Sequence, residues 1–471
     1  MNRNNFLPHI ALALVLILVA AFAGQLKRWQ GQLKHHARIM PVADKTRIPV
    51  TTEDIALSER RELNAPELMV KFKPGISLDR IINIAADHHD RVEDSIEAVP
   101  GLEAIDDLDD ANVQETVAEY RRLPEVEYAE AVTEISLDGA ESNLNPVLPA
   151  DPQFSEQWAL ANNGQRGGKE GADISAMRAW SVTTGDDDVV IAVLDSGVDY
   201  NHPDLANNIW VRPASVRPFT DGTAGTIQDL HGYNAVENNA DPMDDNGHGT
   251  HCAGIIGAEG GNNIGIAGVN WTVRIMPLKF MNAGGFGTTK DAVEAINYVI
   301  DRRKAGVNVK VISASWGSTM KSQALEDVIR KAYEAGILFV AAAGNATTNN
   351  DRTPHYPSSY DVPNVISVAA LDRNDELASF SNYGVKSVAI AAPGVDILST
   401  WLDGEYEEKS GTSMATPVVA GVAGLIAAKE PKLSVEELRK RLVESVDKLE
   451  TLKGRVASGG RINAAKAVRA E

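Results

Sequence analysis

Cysteine is almost absent from this chain. Cys252 stands alone among 471 residues, so no intrachain disulfide can form. In an oxidising compartment, stability would then have to come from core size or from bound metal. Basic residues are scarce as well: 45 Lys and Arg stand against 65 Asp and Glu, a formal net charge of −20. That balance does not supply the clustered cations that phosphate binding needs, and it excludes nucleic acid as the expected partner. Acidity by itself says only that the chain is soluble and self-repelling. No internal repeat and no extra C-terminal module is evident. What remains is ordinary globular composition, 44% hydrophobic and 23% charged, long enough for one large domain and a smaller one.

The N-terminus narrows the compartment. Asn2 to Asn5 with Arg3 form a weakly basic lead, and Ile10 to Ala23 are uninterrupted apolar residues. A run of about 14 residues is short of the roughly 17 to 25 that a membrane span needs, and it suits the core of a signal peptide. Ala21-Phe22-Ala23 then offers the small-x-small pattern of a cleavage site. The alternative is a retained anchor over residues 6–26, followed at once by Lys27 and Arg28. Either way the bulk of the chain is expected outside the cytoplasm, secreted or extracytoplasmic, with membrane contact only if that segment is kept.

Five segments follow from composition. Residues 1–23 are the signal peptide or anchor, and residues 24–65 are a polar stretch. Residues 66–137 are a small α+β module. It begins with a strand pattern over Glu67 to Phe72 closed by Pro74-Gly75, continues with a helix over Leu78 to His88, and has strand material over Val92 to Ile105 broken at Pro100-Gly101. A helix over Val113 to Leu123 and a strand over Val126 to Leu137 complete a split βαβ order. Residues 138–150, rich in Gly, Ser, Asn and Pro, read as an exposed linker with a processing site. Residues 151–471 alternate apolar strand runs, at Val189 to Leu194, Val273 to Leu278, Val309 to Ser313, Ile337 to Ala342 and Val365 to Ala370, with amphipathic helices at Lys290 to Lys304 and Gln323 to Ala335. Such alternation predicts an α/β fold, a mostly parallel sheet covered by helices on both faces. A last pair of helices is expected, one opened by Ser434 with Glu437 completing a capping box and one around Asn463.

Three blocks could carry chemistry. Asp195 ends the run Val-Val-Ile-Ala-Val-Leu and precedes Ser196-Gly197, which puts it at the carboxyl edge of a buried strand, where open α/β sheets bind ligands. Asn246 to Gly254 surround His248 and His251 with small residues that let helix and sheet approach closely. Ser410 to Pro417 lead Ser413 into an apolar helix over Val418 to Ala428. Alone, each has a plain explanation: a turn Asp, a structural or metal-binding His, a helix-capping Ser.

Together, in the order Asp, His, Ser, the blocks resemble the subtilisin-type serine peptidases, from about Asp151 to Val468. The resemblance implies an endopeptidase that works through an acyl-enzyme, with His248 as general base on Ser413, Asp195 orienting the imidazole, and Asn345 as an oxyanion donor beside the Ser413 amide. It implies that Ser315, Trp316 and Gly317 pair with an extended polypeptide substrate, and that Ala342, Ala343 and Gly344 wall its specificity pocket. Trp316 departs from the smaller aliphatic residue usual there, either reshaping a pocket or packing against the sheet. No acidic residue is placed for a basic P1 side chain, which leaves broad or apolar preference as the expectation. A structural Ca²⁺ is implied, held by Asp151, Asp204 and Asn262 with the carbonyls of Gly260, Ile264 and Ile266. The acidic run Asp241, Asp244 and Asp245 reads equally as a second, weaker site or as solvated turn acid. Cys252, one helical turn after His248, is expected behind the imidazole as a buried, mercurial-sensitive thiol and not as a nucleophile. The first module resembles the family's inhibitory prodomain, which makes the chain an autoinhibited precursor and the module a partner of its own enzyme. A noncatalytic binding scaffold is the alternative from another class; a lipase or esterase is excluded because it would carry the order Ser, acid, His.

Overall fold

The computed structural model describes residues 68–96, 98–108, 113–132, 146–222 and 225–469. The expectations for residues 1–65 and for most of 138–150 lie outside them. The chain divides into two units, Met1–Glu141 and Ser142–Glu471.

In the first unit, alternation of apolar and polar residues builds β1 (Leu68–Phe72), whose Leu68, Val70 and Phe72 are fully buried. Helix α1 (Leu78–Asp87) starts where the Ser77 side chain accepts from the Arg80 amide and turns Ile81 and Ile84 to the same core. Strands β2 (Asp90–Ser95) and β3 (Leu102–Asp107), helix α2 (Val113–Tyr120) and β4 (Val126–Ala131) follow. The sheet order is β2-β3-β1-β4, with all neighbours antiparallel. The strand material expected over Val92 to Ile105 is thus two strands, β4 spans Val126–Ala131, and the remainder of the expected strand, residues 133–137, lies outside the described residues.

The second unit opens with a short helix α3 (Ala176–Trp180) and strand β5 (Gly185–Asp195). A small hairpin, β6 (Phe219–Asp221) with β7 (Gly225–Ile227), precedes β8 (Tyr233–Asn234). Then come α4 (His248–Gly257), β9 (Thr272–Lys279), α5 (Thr289–Lys304), β10 (Val309–Ala314), α6 (Gln323–Glu334), β11 (Leu338–Ala342) and β12 (Val365–Leu371). The C-terminal part holds β13 (Ile390–Pro393), the hairpin β14 (Ile397–Thr400) and β15 (Tyr406–Lys409), α7 (Thr412–Lys429), α8 (Val435–Glu444), β16 (Val446–Lys448), β17 (Gly460–Ile462) and α9 (Ala464–Arg469). Ser434 and Glu437 do form the capping box at α8. The strands from β13 onward gave too little apolar length to be read from sequence.

The nine-stranded sheet runs β16-β17-β13-β12-β11-β10-β5-β9-β8 and is parallel except for the β16–β17 pair. One face is covered by α4 and α7, the other by α5 and α6. Helix α7 is buried nearly all round, so this eighteen-residue helix, long and apolar enough on average to cross a membrane, is a core helix. It lies so close to β5 that a Cβ on Gly424 would come within 2.8 Å of Ile191 Cδ1. Strands β5, β10 and β11 are neighbours, so their carboxyl ends, carrying Asp195, Ser315 and Asn345, come side by side.

Candidate active site

Asp195 is the last residue of β5 and is 1% exposed. Its Oδ1 accepts from the Ser196 amide at 2.8 Å and from His248 Nδ1 at 2.7 Å. His248 is the first residue of α4. The helix is begun by Asp244, whose Oδ1 accepts from the Asn246 and Gly247 amides and whose Oδ2 accepts from the Thr250 amide and hydroxyl. Gly249 makes the approach to β5 feasible: its Cβ would lie 2.0 Å from the Gly197 carbonyl oxygen, and its amide donates to Ser196 Oγ at 2.9 Å. Burial pushes the His248 imidazole down, but the charge and hydrogen bond of Asp195 outweigh it and raise the pKa above the ordinary value.

His251 behaves oppositely. Its Nε2 donates to the carbonyls of Ile397 and Glu407, it has no carboxylate partner among the described residues, and burial pushes its pKa down to about 3. It is a neutral residue tying α4 to the β14–β15 hairpin. The two histidines of this small-residue block thus differ in their partners.

Ser413 is the second residue of α7. Pro417, four residues on, has no N–H to close the helical bond to the Ser413 carbonyl. That oxygen accepts instead from Ser315 Oγ at 2.8 Å and from Cys252 Sγ at 3.6 Å. Cys252 also places its sulfur within 4.8 Å of ligand atoms of both Asp195 and His248. One buried thiol therefore touches the settings of all three residues. Burial raises its pKa well above that of a free cysteine. The Ser413 hydroxyl donates to the Ser315 carbonyl at 3.0 Å and makes no hydrogen bond to His248 among the described residues. Asn345 follows β11, and its Oδ1 accepts from the Thr412 amide and hydroxyl, both at 2.9 Å. This fixes the side chain so that Nδ2 is the free end. A Cβ on Gly411 would be 3.5 Å from both Asn345 Nδ2 and the Ser413 amide, so the two donors border one spot.

Ser315 turns its hydroxyl inward, and Trp316 both packs and lines. Its indole N–H donates to the Leu194 carbonyl at 2.9 Å, its ring lies 4.8 Å from that of Phe280, and its outer side borders a cleft with Met281, Phe286 and Met320. Ala342 and Ala343 are buried. Gly317 and Gly344 share a neighbour that sequence reasoning missed. A Cβ on Gly317 would meet His355 Cε1 at 2.1 Å, and one on Gly344 would meet His355 Cδ2 at 3.0 Å. His355 accordingly sits against both segments, held where Tyr356 and Ser318 exchange backbone hydrogen bonds at 2.8 Å. Nothing in Pro354 to Pro357 announces this, because the contact is made only by the fold.

The candidate calcium ligands do converge. Asp151 accepts from the amides of Gly261 and Asn262, and Asp204 accepts from Asn262 Nδ2, the Ile266 amide and the Tyr406 hydroxyl. Among the described residues no hydrogen bond reaches the carbonyls of Gly260, Ile264 or Ile266. Burial raises the pKa of both carboxyls, Asp204 to about 6, with the neighbouring Asp151 charge adding to it. Two carboxylates, spare carbonyls and no cationic side chain bonded to either make a donor set that fits a hard cation. The acidic run does not. Asp244 is spent on α4, Asp241 accepts from Tyr200 Oη and the Met243 amide, and Asp245 pairs with Lys279 at 2.5 Å.

Residues 186–459 match the subtilase family. The chain is 38% identical over 330 residues to a thermophilic serine proteinase of a Bacillus species, covering 69% of this chain and 74% of that one. It is 38% identical over 320 residues to thermitase of Thermoactinomyces vulgaris, covering 68% of this chain and 99% of that one. A solved protease structure from Pseudoalteromonas arctica aligns at 28% identity with a TM-score of 0.55, over 69% of this chain and 99% of that one. With a family match across more than half its length, the chain belongs to the subtilases, and it is a serine endopeptidase.

Proposed function

We propose that Asp195, His248 and Ser413 carry out the peptide-bond cleavage of this endopeptidase. The observation that supports it most directly is the 2.7 Å contact between His248 Nδ1 and the buried Asp195, in one setting with Ser413 around the Cys252 thiol. With Nδ1–H given to Asp195, Nε2 is left as the base. The Ser413 hydroxyl turns from the Ser315 carbonyl to His248 as it attacks the substrate carbonyl, its proton passing to Nε2. The oxygen of the tetrahedral intermediate lies between Asn345 Nδ2 and the Ser413 amide, at the N-terminus of α7. Collapse expels the amine, which takes the proton back from His248, and water repeats the sequence to release the acyl group. Ser315, Trp316 and Gly317 bind the extended chain, and Ala342, Ala343 and Gly344 wall the P1 pocket, with His355 at its floor. Asp151, Asp204 and Asn262, with the carbonyls of Gly260, Ile264 and Ile266, would hold Ca²⁺, which supplies the positive charge that the two buried carboxylates lack.

The first unit is proposed as an inhibitory prodomain, residues 66–137, with its linker at 138–150 and with export directed by residues 1–23. A large parallel sheet of nonlocal contacts folds slowly, and a separately cored template offsets that barrier. The test is expression of the full chain and of Ser413→Ala. The parent is expected to hydrolyse casein and mature to a product starting within 138–150. Ser413→Ala should lose roughly 10⁶ in kcat, the magnitude known for subtilisin itself, and stay unprocessed. Casein hydrolysis at the parental rate by Ser413→Ala would refute the assignment.

A further inference from the structure

The turn after Asp195 and the loop before His248 belong to chain segments about fifty residues apart, and one side chain is bonded to both. Lys279, the last residue of β9, is 5% exposed although it carries an amine. Its Nζ donates to Asp245 Oδ1 at 2.5 Å, to the Ser196 carbonyl at 2.8 Å and to the Met281 carbonyl at 2.9 Å. Those three bonds use all three protons of the ammonium. Ser196 directly follows Asp195, and its Oγ already accepts from Gly249 in the first turn of α4. Asp245 stands three residues before His248, next to the Asp244 that begins the helix. Met281 opens the loop that borders the cleft beside Trp316. The main chain of Lys279 pairs in register with Asp195, and its carbonyl accepts from the Ala235 amide.

We propose that Lys279 is a positioning residue of the catalytic centre, whose ammonium ties the turn after Asp195 to the loop that leads into His248 and so holds these two side chains in contact. The proposal rests on the assignment of Asp195 and His248 made above. Geometry favours a positioning role over a purely structural one. The β5–β9 ladder is complete without the amine, running in register from Val190 to Asp195. The side chain of Asp245 is 53% exposed, so its charge returns to water when the partner is removed. What is lost is the clamp at the sheet edge. A lysine suits it because three tetrahedral donors meet three oxygens around one atom, whereas the planar fork of arginine spreads its donors. A displacement near 1 Å between reacting groups lowers turnover by about 10².

The test uses mature enzyme with a chromogenic peptide, with turnover expressed per active site counted by the acylation burst. Lys279→Met is expected to lower kcat by about 10- to 100-fold with KM within about threefold of the parent. Lys279→Arg should fall between the two, at least fivefold below the parent on the same geometric ground. Parental kcat per titrated site in Lys279→Met overturns the proposal. If Lys279→Met yields no folded enzyme, Lys279→Arg decides: a lower kcat at unchanged KM supports the clamp, and parental kcat overturns it. Ser413→Ala, measured alongside, fails independently. Should it keep activity, the triad assignment falls, whatever Lys279 variants do.

Discussion

Asp195 and Asp204 are both buried carboxyls at strand or loop ends facing α4 and its neighbours, yet their surroundings ask for opposite partners. Asp195 meets an ionisable base, His248, at 2.7 Å, and the pair shares one proton site within the protein. Among the described residues Asp204 meets only neutral donors, the Asn262 side-chain amide, the Ile266 N–H and the Tyr406 hydroxyl, with the Asp151 carboxyl beside it. Burial without a cation drives its pKa up to about 6. The first carboxylate finds its counter-charge in a titrating side chain, whereas at the second the proposed Ca²⁺ would supply it.

The comparison can be broken by making the same change at both positions. Asp195→Asn keeps the shape but reverses the tautomer of His248, and kcat should fall by roughly 10⁴, a size taken from the equivalent change in a trypsin-like enzyme. With His248 as the proposed base, the parent needs a neutral imidazole, whose pKa Asp195 raises; the acidic limb of kcat/KM is therefore expected above pH 6.5. A limb at or below that value would break the pairing. Asn345→Ala tests the neighbouring donor, with an expected loss of roughly 10² to 10³ in kcat and little change in KM.

At the other site the effect is on stability. A raised carboxyl favours the fold while it is protonated. Its contribution is fully present below about pH 4 and is lost as pH rises through about 6. Chelation of calcium should therefore lower the melting temperature little at pH 5 and much more at pH 8. Asp204→Asn should melt above the calcium-free parent at pH 8 and no longer respond to added calcium. An equal response in both proteins would mean that the ion binds elsewhere. The smallest effect concerns His355, which lies against Gly317 and Gly344. His355→Ala should raise kcat/KM for large apolar P1 residues about tenfold relative to small ones, and an unchanged ranking would remove His355 from the pocket.

Much of the fold was legible because its strands are buried on both faces. Val189 to Leu194 reads as an apolar run for that reason, and its neighbours in the sheet read the same way. The short strands β13 to β17 were not legible, since runs of three or four residues such as Ile390–Pro393 or Gly460–Ile462 carry too little periodicity to be told from loop. The candidate triad could be read as three blocks of small residues. Glycines such as Gly249 are needed wherever a helix must come within contact of a strand end. Lys279 left a weaker trace, a charge closing the apolar run Val273 to Leu278, and His355 left none.

The sequence by itself determined the alternation of strand and helix, the three chemical blocks and the family to which they belong, because periodicity and local spacing are properties of neighbouring residues. Tertiary structure decided how His251 is held between the Ile397 and Glu407 carbonyls, where His355 lies and which groups stand behind Ser413. Those are contacts across long stretches of chain, such as Cys252 with Ser413, 161 residues apart. They exist because α4 and α7 pack on the same face of one parallel sheet in which β5, β10 and β11 are neighbours.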